Sequence, residues 1–211
     1  MFVLRFLDER VGLGHGEARA EDSLREHVSE GQMTKYRRPP YPYCPWCACT
    51  LPEEDPFRQA CSSCGFVLYH NSSPCVGALP RDERGQVLLG RRGIEPYRGD
   101  WNTVGGFLQY GEDPFAGLKR EVKEELAVAC EVDEFITMEA DTYGTDGPAL
   151  MNTYFTVRLA PGTMRPQDDI TELQWFPLDG LPENIAFESD RKALRILSQK
   201  TRKVSERGEE P

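Results

Sequence analysis

Gly106-Phe-Leu-Gln-Tyr-Gly-Glu112-Asp113-Pro114-Phe115-Ala-Gly117-Leu118-Lys-Arg120-Glu121-Val122-Lys-Glu124-Glu125-Leu126-Ala127-Val128 is a glycine-bearing loop followed by an acidic helix. Asp113 suits an N-cap and Pro114 the first helical position, so the spacing predicts a helix from Pro114 to about 126. Phe115, Leu118, Val122 and Leu126 recur at helical spacing and form the expected buried face. Glu121, Glu124 and Glu125 fall on a neighbouring arc, with Gly117 one turn before Glu121. Like charges one turn apart destabilise an isolated helix, and an interior glycine costs about 1 kcal/mol relative to alanine. Local stability therefore does not select this arrangement. A hard divalent cation would, because carboxylate oxygens suit it and Gly117 leaves room for a ligand. A merely solvated acidic face is the alternative for a glutamate-rich helix.

Around this helix the chain reads as alternating strands and helices. Short strands are expected at 75–79, 87–90 and 101–104, separated by turns at 82–85 and 98–100. Further strands are expected at 134–138, 150–159 and 173–176, where β-branched and aromatic residues gather, and a last helix at 189–199. That order predicts an α/β architecture, a mixed sheet packed between helices.

Upstream, Cys44-Pro-Trp-Cys47 and Cys61-Ser-Ser-Cys64 are separated by thirteen residues. Each pair can clasp one side of a tetrahedral ion, and four thiolates suit Zn²⁺, which predicts a zinc ribbon. Cys49 is an alternative ligand to Cys47, though the two-residue gap favours Cys47. Cys75 and Cys130 fall in strand contexts and read as small packing residues. The expected division is a flexible leader over 1–40, a zinc ribbon over 41–70, the main domain over 71–200 and a charged tail over 201–211. Within the leader a transient helix is expected at 18–28, and a start at Met33 would remove most of it.

With 25 basic against 35 acidic residues, the formal charge of −10 opposes general affinity for nucleic acid or anionic membranes. An anionic substrate then needs local help, such as a metal ion. No secretory or membrane-spanning segment stands out, so a cytoplasmic protein with reduced cysteines is expected.

Gly106, five residues, Glu112, seven residues and Arg120-Glu121-Val122-Lys123-Glu124-Glu125-Leu126-Ala127-Val128 closely resemble the Nudix box. The preceding Trp101-Asn-Thr-Val-Gly105-Gly106-Phe107 is similar to the family's approach to its catalytic loop and helix. The resemblance implies the Nudix-type α/β/α sandwich, preceded here by the small zinc ribbon. It also implies hydrolysis of a nucleoside diphosphate linked to another group, with Mg²⁺ or Mn²⁺ held by Glu121, Glu124 and Glu125. Glu124 or Glu125 is then the candidate to orient or deprotonate the water. Glu112 is either a further ligand or a structural partner of Arg120. Two positions depart from the pattern. Ala127 stands where Gly is usual, so the helix cap is expected to differ, and Val104 stands where Pro is common.

Asp168, Asp169 and Glu172 occupy a loop that supplies a catalytic acid in some members. Arg91 and Arg92 either meet phosphate or form an exposed basic pair. Tyr110, Tyr143, Tyr154 and Phe187 are candidates to stack on a base. The ribbon is similar to that of NADH pyrophosphatases and of FAD or ADP-ribose pyrophosphatases. The Ser-Gln-Pro-Trp type segment of the NADH enzymes is absent, so ADP-ribose, FAD and related dinucleotides lead as small-molecule substrates. Nucleoside triphosphate sanitation and a non-catalytic ligand-sensing or nucleic-acid-binding module remain as alternatives. A homodimer is an arrangement that could complete the cleft.

Overall fold

The computed structural model describes residues 41–207 apart from 53, 54 and 56, with side chains to residue 203. The expected leader, with its helix at 18–28 and the start at Met33, lies outside the described residues. So do residues 208–211 of the expected tail.

In the cysteine module β1 (Arg58–Ala60) and β2 (Val67–Tyr69) pair antiparallel. The main domain follows as β3 (Ser73–Pro80), β4 (Val87–Arg92), β5 (Trp101–Asn102), β6 (Val104–Phe107), α1 (Pro114–Leu126), β7 (Cys130–Thr142), β8 (Ala149–Leu159), β9 (Ile170–Phe176) and α2 (Glu188–Arg207). A mixed sheet has the order β6-β3-β8-β7, with β3 and β8 parallel. A second, antiparallel sheet has the order β5-β4-β9.

Strand alternation sorts the apolar residues into two cores. Leu88 of β4 and Phe155 and Val157 of β8 pack with Leu118, Val122 and Leu126 of α1. Val87, Leu89 and Tyr154 face the other way, onto Ala193, Leu194 and Leu197 of α2. The sheets thus lie between the two helices, as expected for an α/β/α sandwich. Burying each Leu or Val at these positions contributes about 1.5–3 kcal/mol relative to exposure. Phe115 departs from the expected face: it is half exposed and meets Phe155 across a 5.2 Å ring separation.

Three boundaries differ from expectation for physical reasons. The strand expected at 101–104 divides at Thr103, whose N–H and Oγ1 both donate to Asp190. Asn102 therefore pairs with Gly90 in one sheet and Val104 with Ala78 in the other. β7 is longer than 134–138 because register shifts between Val132, Phe135 and Thr137 interrupt its alternation without ending it. α2 continues through the first seven residues of the expected tail.

The ends of α1 follow from its flanks. The Asp113 carboxylate accepts from the N–H groups of Phe115 and Ala116, capping the first turn. At the other end the expected change of cap does not occur. Ala127 takes the left-handed conformation itself, at φ 61° and ψ 15°, and its N–H donates to Lys123 O. A Cβ in that region is strained, and glycine removes the strain. Ala127→Gly is expected to stabilise the fold by about 1 kcal/mol. Urea denaturation checks this, with a raised midpoint at unchanged slope.

Candidate active site

The site is built where the loop after β6 folds back on α1. Gly105 has φ +144°, and a Cβ there would lie 2.1 Å from Val76 O, so only glycine fits. This lets the Gly105 N–H donate to Glu125 Oε2 at 2.8 Å. A Cβ on Gly106 would lie 2.8 Å from Glu121 Oε1. The backbone therefore wraps directly over two carboxylates of the helix. Gly117 has a different role from the expected one. A Cβ there would meet Leu108 Cδ2 at 2.3 Å and Glu112 Oε2 at 3.0 Å, so its space is filled by the returning loop and not by a ligand.

Arg120 gathers the acidic groups. Its Nε and Nη2 donate to the two oxygens of Glu112, each at 2.7 Å, and its Nη1 donates to Glu121 at 2.8 Å and Glu124 at 2.9 Å. Glu112 also accepts the Gln109 N–H, so both its oxygens are engaged within the loop and helix. The Arg120 guanidinium holds the Glu112 carboxyl down to about 2.

Glu125 is 2% exposed, and burial first, then the nearby Asp169 carboxylate, raises its pKa well above the usual range, against the Gly105 N–H. Glu121 is raised chiefly by burial, with Arg120 opposing. The acidic loop before β9 thus brings Asp169 to the two buried glutamates, while Glu172 pairs outward with Arg91 at 3.1 Å. Asp168, at φ 53°, turns the chain in front of Asp169.

Beside the carboxylates a cleft of about 110 Å³ is lined by residues including Asn102, Phe107, Tyr143, Phe187 and Asp169. Tyr143 stacks on Phe187 at 6.0 Å, and Phe107 tilts onto Tyr143 at 5.6 Å. Arg92 is buried and not part of an exposed pair. Its guanidinium lies 5.1 Å from the Phe187 ring centroid, and it donates to Pro96 O and the Tyr143 hydroxyl. Of the four stacking candidates, Tyr143 and Phe187 present themselves here. Tyr110 projects into solvent, and Tyr154 is buried with its hydroxyl on Asp190 at 2.7 Å. Sequence reasoning did not reach Phe107 or Asn102. Phe107 shares the box segment with the glutamates, which was the available signal. Cys75 reaches the cleft wall, but burial pushes its thiol up to about 12, so it packs and does not attack.

The cysteine module forms a separate group. The Sγ atoms of Cys44, Cys47, Cys61 and Cys64 all lie within 4.8 Å of one another, able to hold a metal ion. The two knuckles repeat one geometry. Ala48 and Gly65 both adopt positive φ, and their N–H groups donate to Cys44 O and Cys61 O at 2.9 Å. Cys49 contributes its carbonyl, to the Cys44 N–H, and stands outside the four-thiol group.

The Glu112–Arg120 pair has a pH signature. Its folded carboxyl titrates near about 2, below the ordinary value of 4.5, so its stabilisation is complete above 4.5 and is lost as pH falls toward 2. Glu112→Gln removes that dependence. Between about pH 7 and about pH 3 the urea midpoint of the wild type is expected to fall further than that of the variant.

No helix among the described residues is long and apolar enough to cross a membrane. The chain matches the NUDIX domain over residues 72–196. It is 30% identical to the NAD-capped RNA hydrolase NudC of Pseudomonas aeruginosa over 66% of this chain and 49% of that protein. It is 25% identical to the ADP-ribose pyrophosphatase of Methanocaldococcus jannaschii over 60% of this chain and 73% of that protein. Against the NudC proteins the chain spans about half the relative's length. The crystal structure of a Nudix hydrolase from Nitrosomonas europaea superimposes with a TM-score of 0.64 at 26% identity, over 76% of this chain and 92% of that one. With the box on α1, its glycine loop and this match over more than half its length, the chain belongs to the Nudix family.

Proposed function

We propose that this chain hydrolyses the phosphoanhydride bond of a nucleoside diphosphate joined to another moiety, with ADP-ribose, FAD and related dinucleotides as leading substrates. The observation that carries the reading is the convergence of Glu121 and Glu125 with Asp169, which also lines the aromatic cleft. Two buried carboxylates side by side repel each other, and Asp169 and Glu121 both act to raise the Glu125 carboxyl. An all-oxygen donor set of this kind fits a hard divalent cation. Glu121, Glu124 and Glu125 would hold Mg²⁺ or Mn²⁺, with Asp169 beside them. When bound, the ion supplies charge neutralisation for the diphosphate and a more acidic water.

The chain's own groups do the rest. The Gly105 N–H fixes Glu125 through Oε2, leaving Oε1 for other partners. Glu124 is about half exposed and tethered by Arg120, at the solvent end of the trio. A proton from the attacking water passes to one of these two carboxylates. Water oxygen joins one phosphorus as the bridging bond breaks, and a nucleoside monophosphate leaves with the phosphorylated partner group. Tyr143 and Phe187 offer rings against which the base can lie. The names of the relatives, an ADP-ribose pyrophosphatase and NAD-capped RNA hydrolases, support a substrate of this class.

For the ribbon we assign structural Zn²⁺ to Cys44, Cys47, Cys61 and Cys64. Among the described residues the apolar cluster there buries Cys44, Leu51 and Cys61, with Phe66 and Leu68 packed against it, too little to hold a module together unaided.

Two measurements test these assignments. Product analysis with Mg²⁺ on ADP-ribose, FAD, NADH and nucleoside triphosphates is expected to show nucleoside monophosphate release from the dinucleotide class. Glu124→Gln and Glu125→Gln should each lower kcat by about a hundredfold or more. Cleavage confined to triphosphates would replace this reading with nucleotide sanitation. No cleavage at all by folded protein would favour the binding-module reading. Metal analysis of freshly purified protein is expected to find stoichiometric zinc, lost in Cys44→Ser, and a zinc-free wild type would overturn the ribbon assignment.

A further inference from the structure

The basic residues of α2 fall into two sets. Lys192 and Lys200 turn to β7 and meet Glu139 and Glu134 at 3.6 and 2.8 Å. Arg195 and Arg202 are exposed, and no carboxylate among the described residues lies within ion-pair distance of either. Seven residues apart on a helix, they stand on one side of it and about 10 Å from each other along the axis. With the turn between β3 and β4 and the segment after β9, they line a groove. One end of it, about 240 Å³, is walled by residues including Arg81, Arg84, Leu178, Ser198 and Arg202. From there it continues past Leu181 and Arg195.

Arg81 is fixed in place across this groove. Its Nη1 donates to Thr201 Oγ1 at 3.1 Å and its Nη2 to Gly85 O at 3.2 Å, which ties the turn to the helix. A Cβ on Gly85, whose φ is +77°, would lie 3.1 Å from Arg81 Nη2, so the glycine makes room for the guanidinium. The nearby acids do not neutralise it. Asp82 accepts the N–H groups of Arg84 and Gln86 and closes the turn. Asp179 lines the groove and yet makes no ion pair among the described residues. Acidic residues outnumber basic ones by 35 to 25, so a shortage of carboxylates does not explain four arginines left without one. Like charges gathered in this way repel, and a groove of one sign concentrates the opposite ion. Each guanidinium carries five N–H donors, and Ser198 adds a hydroxyl. A carboxylate, with two oxygens, would occupy one such fork, whereas a chain of phosphates offers acceptor oxygens to several. No aromatic ring is among the described lining residues, so a nucleobase finds nothing there to stack on.

We propose that this groove is a second anion site, which takes a soluble oligophosphate chain along Arg81 and Arg84 of the turn and Arg195 and Arg202 of α2. It is separate from the cleft, with which it shares no lining residue. Asp190 of the cleft and Ser198 of the groove lie about 12 Å apart along the helix axis. The assignment does not rest on the hydrolase reading, because it concerns binding at a place where no reacting group stands.

The test is calorimetric titration of the full chain with inorganic tripolyphosphate, in buffer without divalent cations so that the acidic cleft stays closed to anions. The wild type is expected to bind tripolyphosphate about tenfold or more tightly than inorganic phosphate, and less tightly as salt is raised. Replacing Arg84 and Arg202 together by alanine should lower the affinity about tenfold or more, while Glu125→Gln in the cleft should leave it unchanged. Should the double variant fold poorly, Arg195→Ala, expected to lower the affinity severalfold, decides. A hexaglutamate peptide and a thymidine oligonucleotide, titrated in parallel, should bind more weakly than tripolyphosphate. No binding by the wild type, equal affinity for phosphate and tripolyphosphate, or affinity retained in the arginine variants would overturn the proposal. So would affinity lost in Glu125→Gln, or tighter binding of the peptide or the oligonucleotide. Hydrolysis is not read in this experiment, so its failure leaves the hydrolase reading intact, and an inactive enzyme that binds tripolyphosphate through these arginines would leave this site intact.

Discussion

The guanidinium of Arg120 is the group on which the site depends. Its five N–H donors make five bonds: two to Glu112, one each to Glu121 and Glu124, and one to Phe107 O. Both ends of the loop between β6 and α1 are therefore tied to the helix that follows. The side chain is about a quarter exposed, so these bonds sit in a medium where losing the cation would leave several acidic groups to repel one another. The close approach it enforces explains the glycines. Gly106 must admit the Glu121 carboxylate, and Gly117 must admit Leu108 and Glu112.

The fold was largely legible, because α1 and the strands facing it follow simple periods. Leu118, Val122 and Leu126 are fully buried at helical spacing, and β4 alternates between the two cores. Legibility failed where a tertiary bond overrides local pattern. Asp190 lies 87 residues from Thr103 and yet divides a strand by claiming its N–H. The bulges in β7 hide a long strand in the same way. In the site, the glutamates and Arg120 were readable because their spacing within one helix fixes their neighbours. Asp169 was readable only as one of several loop acids, since nothing local says which of them turns inward. Arg92 looked like surface charge because its burial depends on rings from Tyr143 and Phe187, distant in sequence.

The start of α2 joins the second core to the cleft. Asp141 on β7 accepts the Ser189 N–H, and Asp190 accepts from Thr103 and Tyr154. Burial raises the Asp190 carboxyl, with the Tyr154 hydroxyl and Thr103 donors acting against that shift. A buried acid held by three donors is tolerated because hydrogen bonds from the protein stand in for those it loses from water. The consequence is geometric. Phe187, two residues before Ser189, is carried to the cleft by the same junction that anchors the helix, so the aromatic wall and the α2 core are positioned together.

Charge balance sets the last constraint. A chain with a formal charge of −10 is poorly suited to attract a diphosphate through its overall field. The described cations near the cleft do not make up the deficit. Arg120 is spent on carboxylates, Arg91 pairs with Glu172, and Arg92 is buried against rings and the Pro96 carbonyl. Adding an anionic substrate beside Glu121, Glu125 and Asp169 would raise the local repulsion further. In the proposed function the attraction is therefore short-ranged, from a cation held by Glu121, Glu124 and Glu125 and from contacts to the uncharged parts of the substrate. On that proposal the glutamates of α1 and the aromatic cleft act as complementary halves of one binding device, since neither alone would retain a dianion in so negative a protein.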